Sequence, residues 1–397
     1  MPSSVPTGRS RQLILVVAIG AIALETSLVG LIAPLLPEIE GRTGAGDAAL
    51  GLALAAYAIP IVLTSIPVGR LADRIGRRPL LLGGLVLTGV GSLLIAYSES
   101  LELLLAGRAV QGAGSTASWV AALTLVSDLA RPGRKGEAIG FALAANSIGG
   151  IGGPALGGVL GGQASFEAPF LLVTALAAAI FALGWAVLPR GRPSAVLAEP
   201  VAAGGTIAAL LRPAVLVPAS LTVAGAAFLG AIDFVVPLDL DRRLGTEATV
   251  IGLLFAAAAG LDAIAAPIAG SAGDRRGRPP IAMLGVAVVG VSGVMLAALG
   301  TLAGAAVALI VFGLGQSVLF GGTVPWFEET FAQVNRGLAY GGLNLVYSIG
   351  YTVGPLLAGG LLEISSADAV YLTMTAVCVA GAVMLAAGRR EPVAESG

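Results

Sequence analysis

"VGRLADRIGRRPLL", residues 68–81, sets four arginines and an aspartate between Gly69 and Arg78 of a chain that is 56% hydrophobic. Charge that dense in so apolar a chain marks a place where it meets water between two buried segments. A second version, "AGSAGDRRGRPPI", stands at 269–281, and a shift of 201 positions lays Gly69, Asp73, Gly76 and Arg77 on Gly270, Asp274, Gly277 and Arg278. The same shift lays Gly112 and Gly114 on Gly313 and Gly315, and Gly136 and Gly140 on Gly337 and Gly341. It also lays "NSIGGIGGPALGG" (146–158) on "YSIGYTVGPLLAG" (347–359) with Ser147, Ile148, Gly149, Gly153, Pro154 and Gly158 all matched. Chance pairing among 58 glycines does not hold one register across four segments, so the two halves are homologous.

The solvent of this chain is lipid. Mean hydropathy is +0.94 and only 11% of residues are charged, while apolar runs of about twenty residues, the length that crosses a bilayer as a helix, recur throughout. Spans are expected near 12–36, 49–70, 79–98, 103–127, 137–160, 168–189, 213–238, 249–270, 279–300, 302–326, 337–362 and 367–388. Helix is preferred to strand because the runs are apolar throughout and satisfy their backbone internally. The first run is too long for the apolar stretch of a signal peptide and reads as a retained span. Of the 22 basic residues, Arg42, Arg242 and Arg243 fall in one set of loops, Arg108 lies inside a span, and the rest fall in the alternate loops and termini. By the positive-inside rule both termini and the 68–81 loop are cytoplasmic. The expected organisation is a six-helix bundle at 1–189, a linker at 190–212 rich in Pro, Gly and Arg, and a second six-helix bundle at 213–397. Cys378 is the single cysteine, which excludes an intrachain disulfide and reads as a small buried hydrophobe.

Three motifs resemble one family. "GRLADRIGRRP" resembles the loop signature of the major facilitator superfamily, "RAVQGAG" (108–114) resembles its span-four element, and "GGIGGPALGG" (149–158) resembles the span-five motif of its antiporter branches. Parallel six-span repeats are the architecture of that family, whose halves are related by an axis along the membrane normal and enclose a midplane site. The resemblance implies an all-α membrane protein of two pseudo-symmetric bundles, a secondary transporter working by alternating access in the cytoplasmic (inner) membrane. The second copy of the loop signature has Ala272 in place of the leucine, and Arg108 falls on Leu309, so any role of that arginine belongs to one half.

Roles follow for the loop residues. Gly69 would allow close helix approach, and Asp73, Arg74 and Arg77 with Asp128, together with Asp274, Arg278 and Glu329, would form ion pairs made in one state and broken in the other, a latch with which Gly76 is grouped as part of the signature. Gly149, Gly153, Pro154, Gly157 and Gly158, and in the second half Gly354 and Pro355, would form a tightly packed hinge, span five crossing span eight and span eleven crossing span two.

Four ionisable groups lie within spans: Glu25, Arg108, Asp233 and Asp262. Such groups are expensive in hydrocarbon and face a cavity or a partner. Glu25 and Asp262 fall near mid-depth, Arg108 and Asp233 nearer the outer surface. With no histidine in the chain, proton coupling has to use carboxylates, whose charged form burial disfavours. Glu25 is the first candidate and Asp262 the second, and "ALETSLVGLIAPLLP" around Glu25 resembles the acidic start of span one in drug antiporters. Candidate substrate contacts are the amides Gln111, Asn146, Gln316 and Asn344 and the aromatics Tyr57, Trp119, Phe228, Phe320 and Tyr347.

The expected partners are a small-molecule substrate, protons and the lipid bilayer, with the chain a monomer. No phosphate-binding loop, metal-ligand cluster or activated nucleophile is evident, so neither cofactor, metal nor catalysis is expected. A net charge of −1, with the basic residues used up in topology, speaks against nucleic acid. The reading favoured by the span-five motif is export of small amphiphilic drugs or metabolites in exchange for protons. An importer of a polar solute and a non-transporting sensor on the same scaffold are the alternatives.

Overall fold

The computed structural model describes residues 8–130, 135–189, 212–298, 300–335 and 339–388, and every regular element among them is helical. The first span is α1 (Arg9–Leu31), continued through a 3-10 turn at Ala33–Leu35 into the short α2 (Leu36–Thr43). Pro34 and Pro37, each at the start of its element, lack the N–H that a continuous helix would need, and the single span expected at 12–36 is broken there. There follow α3 (Asp47–Ile75), α4 (Arg77–Ala96), α5 (Leu101–Asp128), α6 (Lys135–Gln163) and α7 (Glu167–Val187). The second half has α8 (Pro213–Leu244), α9 (Ala248–Arg276), α10 (Arg278–Ala298), α11 (Leu302–Asn335), α12 (Ala339–Ile364) and α13 (Ala367–Gly388). Among the described residues ten helices are long and apolar enough to cross a membrane. The exceptions among the expected twelve are α13, with a shorter apolar run, and α5, whose buried side carries Arg108, Gln111, Ser115, Thr116 and Ser118.

Backbone geometry repeats with the sequence. Gly44 and Gly245 end α2 and α8 at φ 62° and 60°, and Gly76 and Gly277 join α3 to α4 and α9 to α10 at φ 93° and 90°. Only glycine adopts that region without strain, which is why the loop signature keeps a glycine at this position in both copies. Each pair is separated by the same shift of 201 positions.

By contact, the chain forms two compact units: Met1–Ala198 with Val236–Ala259, and Glu199–Val235 with Gly260–Gly397. The end of α8 and the first part of α9 therefore pack with the first repeat. Within the first unit α4 lies on α5 and α7, and α1 on α5, α6 and α7. Within the second, α10 lies on α11 and α13, the counterpart pairs. Small residues set these distances. A Cβ on Gly84 would stand 2.6 Å from the backbone N of Ser118 and one on Gly91 2.7 Å from that of Gln111. In the second unit, Gly285 meets Leu319 and Gly322 meets Ala282 in the same way. Close backbone approach substitutes for a hydrophobic driving force, which is absent between helices in lipid.

The linker expected at 190–212 lies, Arg212 apart, outside the described residues, as do the side chains of Arg70 and Asp73.

Candidate functional site

The densest buried polar cluster of the first unit surrounds Glu25, which is 1% exposed. Ser118 of α5 donates to its Oε1 at 2.5 Å, and Thr88 of α4 bonds the same oxygen at 3.0 Å. Both hydroxyl groups come from helices whose glycines allow the backbones to meet, so the carboxyl is gripped where α1, α4 and α5 converge. Ser118 also lies 2.8 Å from the carbonyl of Gly114. Its single proton can turn from one acceptor to the other.

A chain of bonds leads on from there. Ser92 donates to the Thr88 carbonyl (2.8 Å), Gln111 Nε2 to Ser92 Oγ (2.9 Å), and Arg108 Nη1 to Gln111 Oε1 (2.9 Å). The Arg108 guanidinium, 1% exposed, lies over the Tyr57 ring at 4.5 Å. Tyr57, buried on α3, bonds Ser115 Oγ at 2.8 Å, with the Glu25 carbonyl at 3.3 Å. Burying a carboxyl and a guanidinium in one bundle is costly unless both are bonded, and this circuit supplies the bonds. Asn146 of α6 accepts from Thr26 (3.0 Å), the neighbour of Glu25.

In the second unit Asp233 of α8 is 6% exposed and accepts from the Tyr351 hydroxyl of α12 at 2.7 Å. Tyr351 stacks on Tyr347 with centroids 6.2 Å apart and planes at 9°, and Tyr347 meets the α11 ring of Phe320 at 5.8 Å. Asp262 of α9 is half-buried and bonded by the Ser317 hydroxyl. Gln316 is buried, its Nε2 donating to the Gly225 carbonyl at 3.0 Å while its Oε1 has no donor among the described residues. Phe228 is fully buried, edge-on to Phe312 at 5.4 Å. Trp119 and Asn344 are half-buried.

The hinge glycines grip a different partner from the one expected. A Cβ on Gly149, Gly153 or Gly157 would strike the carbonyl of Ala23, Ser27 or Leu31 on α1, and the Pro154 ring sits 2.7 Å from where a Gly30 Cβ would stand. The expected crossing with span eight is made further along α6, where Gly158 and Gly252 exclude each other's Cβ, the Pro154 carbonyl lies against Gly252 and Gly162 lies against Thr249. In the second half Gly350 and Gly354 press on the carbonyls of Val223 and Ala227 on α8, and Pro355 on Gly230. These paired contacts put α8 against α1 with a shift of 200, one less than the shift that relates the other spans. Position 25 then corresponds to Gly225, and Ser118 to Leu319. A Cβ on Gly225 would meet the Leu319 side chain at 2.7 Å. The carboxyl and its hydroxyl partner exist in one half alone.

At the loop-signature end, Arg77 lies 3.2 Å from Asp128, though not aligned as a hydrogen bond, and Arg278 pairs with Glu329 (2.9 Å) and Asp274 (2.5 Å). Arg74 is exposed. Gly69 does not mediate a close helix approach: a Cβ there would meet nothing within 4 Å among the described residues. At the opposite end, Arg242 of α8 binds Asp47 (2.5 and 3.2 Å) and Glu40 (2.8 Å). Nearby, Arg42 binds Glu38 (3.1 Å) and Glu167 (3.0 Å).

The hydroxyls around Glu25, the acids around Arg242, and Tyr351 escaped the sequence reading. A serine or threonine inside an apolar helix satisfies itself on the carbonyl three or four residues back and carries no distinctive pattern. Tyr351 had one available signal, its place one turn after Tyr347.

The sequence model described as the Major Facilitator Superfamily matches residues 15–238 and again 219–397. The chain is similar to the class G tetracycline resistance protein of Vibrio anguillarum, 31% identical over 301 residues that cover 71% of this chain and 73% of that protein. It is also similar to the MFS-type transporter ppzB of Metarhizium rileyi, 36% identical over 177 residues, though the match spans only 37% of that protein's length and 43% of this chain. Among solved structures the nucleoside transporter NupG shares the fold, with a TM-score of 0.77 over 97% of this chain and 100% of that one at 13% identity.

Proposed function

This chain belongs to the major facilitator superfamily, and from that premise we propose that it exports small amphiphilic compounds across the cytoplasmic membrane in exchange for protons. The observation that carries the reading is the Glu25 carboxyl, buried at the meeting of three helices and held by hydroxyl groups alone. A charged Glu25 accepts from Ser118 and Thr88. A protonated Glu25 donates to one of them, and Ser118 then turns its own proton to the Gly114 carbonyl. Either protonation state is therefore satisfied without moving a helix, which is what a carboxyl that gains and loses a proton in each cycle needs. Arg108, held on Tyr57 and Gln111, supplies positive charge to the same bundle.

Alternating access, in this reading, works by exchanging contacts at the two ends. The signature loops face the cytoplasm, where Arg77–Asp128 and Arg278–Glu329 latch each half, and the Arg242 end faces outward. The similarity to tetracycline resistance proteins supports a drug-like substrate, and tetracycline is the first compound to test. The protein in proteoliposomes with an imposed proton gradient should accumulate substrate, and Glu25→Gln, which mimics the protonated acid, should lose accumulation against a gradient while keeping downhill exchange. Substrate binding to the wild type should vary with pH, and that variation should vanish in the mutant. An unchanged pH profile in Glu25→Gln would remove Glu25 as the coupling site, and Asp262→Asn would be the next variant.

A further inference from the structure

Arg78, the last charge of the loop signature, is committed elsewhere than its neighbours. Arg77 goes to Asp128, and the counterpart of Arg77 in the second repeat, Arg278, goes to Glu329 and Asp274. Arg78, in the first turn of α4, turns to the end of α7, where its Nη2 donates to the Trp185 carbonyl at 2.8 Å and its guanidinium carbon stands 5.0 Å from the centre of the Trp185 ring. Trp185 stacks on Phe181, one turn back, with centroids 6.0 Å apart and planes at 21°. Among the described residues no carboxylate pairs with Arg78, and the Trp185 carbonyl takes one of its five N–H donors.

Helix packing does not explain this trio. The shift of 201 positions lays Arg78, Phe181 and Trp185 on Pro279, Ala382 and Ala386, although α10 lies on α13 as α4 lies on α7. Neither the signature loop nor the helix pair needs these side chains, so they serve something particular to the first half. Their depth says what they meet. Arg78 and Trp185 stand at the same ends of the spans expected at 79–98 and 168–189, the level at which a tryptophan settles between hydrocarbon and headgroups. Trp185 is 55% exposed, and α7 is the least buried of the ten apolar helices among the described residues. Further into the membrane, a Cβ on Gly184 would meet Leu82 at 3.2 Å and one on Gly89 would meet Ala177 and Thr174 at 3.9 Å. Between these contacts Val86, Ala178 and Ala182 are exposed, so an apolar strip continues inward from the rings.

We propose that Arg78, Trp185 and Phe181, with the seam between α4 and α7, bind one anionic phospholipid. The lipid phosphate meets the free edge of the guanidinium, whose planar fork suits its oxygens, and an acyl chain lies along Val86 and Ala178. The cation is held on the ring and aimed before the lipid arrives. This site involves neither substrate nor Glu25.

Trp185 reports on its own neighbour. With Trp119 and Trp326 replaced by phenylalanine it is the one tryptophan left of three, and its quenching by lipids brominated on their chains gives the relative affinity of phosphatidylglycerol and phosphatidylcholine there. With Arg78 in place, phosphatidylglycerol should be favoured about fivefold, the effect of one basic residue at a lipid surface. Arg78→Gln should bring that ratio to about one, and Arg78→Lys, a charge without the fork, should fall between. Arg243→Gln, the same loss of charge at the opposite end of the bundle and beside Asp239, should leave the preference as it was. Millimolar inorganic phosphate should leave it too, since a free anion gains nothing from the strip. The chain with all three tryptophans gives a second reading: phosphatidylglycerol in place of phosphatidylcholine in nanodiscs should raise the unfolding temperature of the wild type and not that of Arg78→Gln. A ratio of one with Arg78 present, or the full preference kept in a folded Arg78→Gln protein, overturns the proposal. So does an equal thermal rise in both proteins, or a preference that inorganic phosphate abolishes.

Discussion

Arg242→Ala should loosen the end of the bundle opposite the signature loops. Arg242 stands in the last turn of α8, in the stretch 236–259 that packs with the first repeat, and its guanidinium holds Asp47 with two bonds and Glu40 with one. Its side chain is 35% exposed, as is Glu40, while Asp47 is 15% exposed. An exposed ion pair contributes about 0.2–1 kcal/mol, and one that is bidentate and half-sheltered sits at the upper end, so the clasp as a whole is worth about 1–2 kcal/mol. That corresponds to a shift of about 5- to 30-fold in the equilibrium between the clasped and released arrangements. The reporter is Thr249→Cys in a Cys378→Ser background, since Thr249 bonds the Gly158 carbonyl at 3.3 Å and is half-buried against it. Labelling by a membrane-impermeant maleimide added outside should accelerate by that factor in Arg242→Ala, and molar salt should accelerate the parent protein toward the same rate. In an Asp47→Asn, Glu40→Gln background the arginine change should add little. An unchanged rate in a correctly inserted Arg242→Ala protein, or full additivity with the acid substitutions, refutes the clasp.

Two further pairs of substitutions, each a test with its control, probe the backbone. Gly153→Leu would drive a side chain into the Ser27 carbonyl and should lower thermal stability by about 1–3 kcal/mol or prevent assembly, whereas Gly69→Leu, facing open space, should leave the melting temperature within a degree or two of wild type; equal effects would mean that α6 does not rest on α1 through its glycines. Gly277→Ala places a Cβ at φ 90° and should cost about 1 kcal/mol or more, read as a lower melting temperature, with no comparable loss for Gly270→Ala, whose Cβ would find open space.

The architecture was legible because its determinants are long-range averages. Span lengths and the 201-residue shift each integrate over many residues, and no single misreading disturbs them. Gly76 and Gly277 hold their place in both copies because φ near +90° has one cheap occupant, a reason that only the backbone reveals. Contacts between particular helices were not legible. Gly153 was expected at the crossing with span eight and instead lies on α1, since a helix with glycines on two faces does not declare which face meets which neighbour. Only the packing of Gly158 on Gly252 and of Gly153 on Ser27 decides it. The one-residue slip between α1 and α8 is invisible in the glycine register and emerges from which carbonyl each glycine touches. For the candidate site, the ionisable residues stood out because charge is rare in lipid, while Thr88, Ser115 and Ser118 looked like filler until three helices brought them around one carboxyl.

The replacement of Glu25 and Ser118 by Gly225 and Leu319 in the second repeat has an evolutionary corollary. A duplicated fold begins with two identical copies of every group, and in this one the carboxyl and its hydroxyl partner stand in one copy alone while the helix packing around them stands in both. On the proposal that Glu25 couples transport to protons, selection on that chemistry would bear on the first half, while the walls of the second would be free to drift. Descendants of such a gene should change what they carry mainly through residues 213–397 and stay constant around Glu25, so a chimera that joins this N-terminal half to a relative's C-terminal half should inherit the relative's cargo and keep this protein's response to pH.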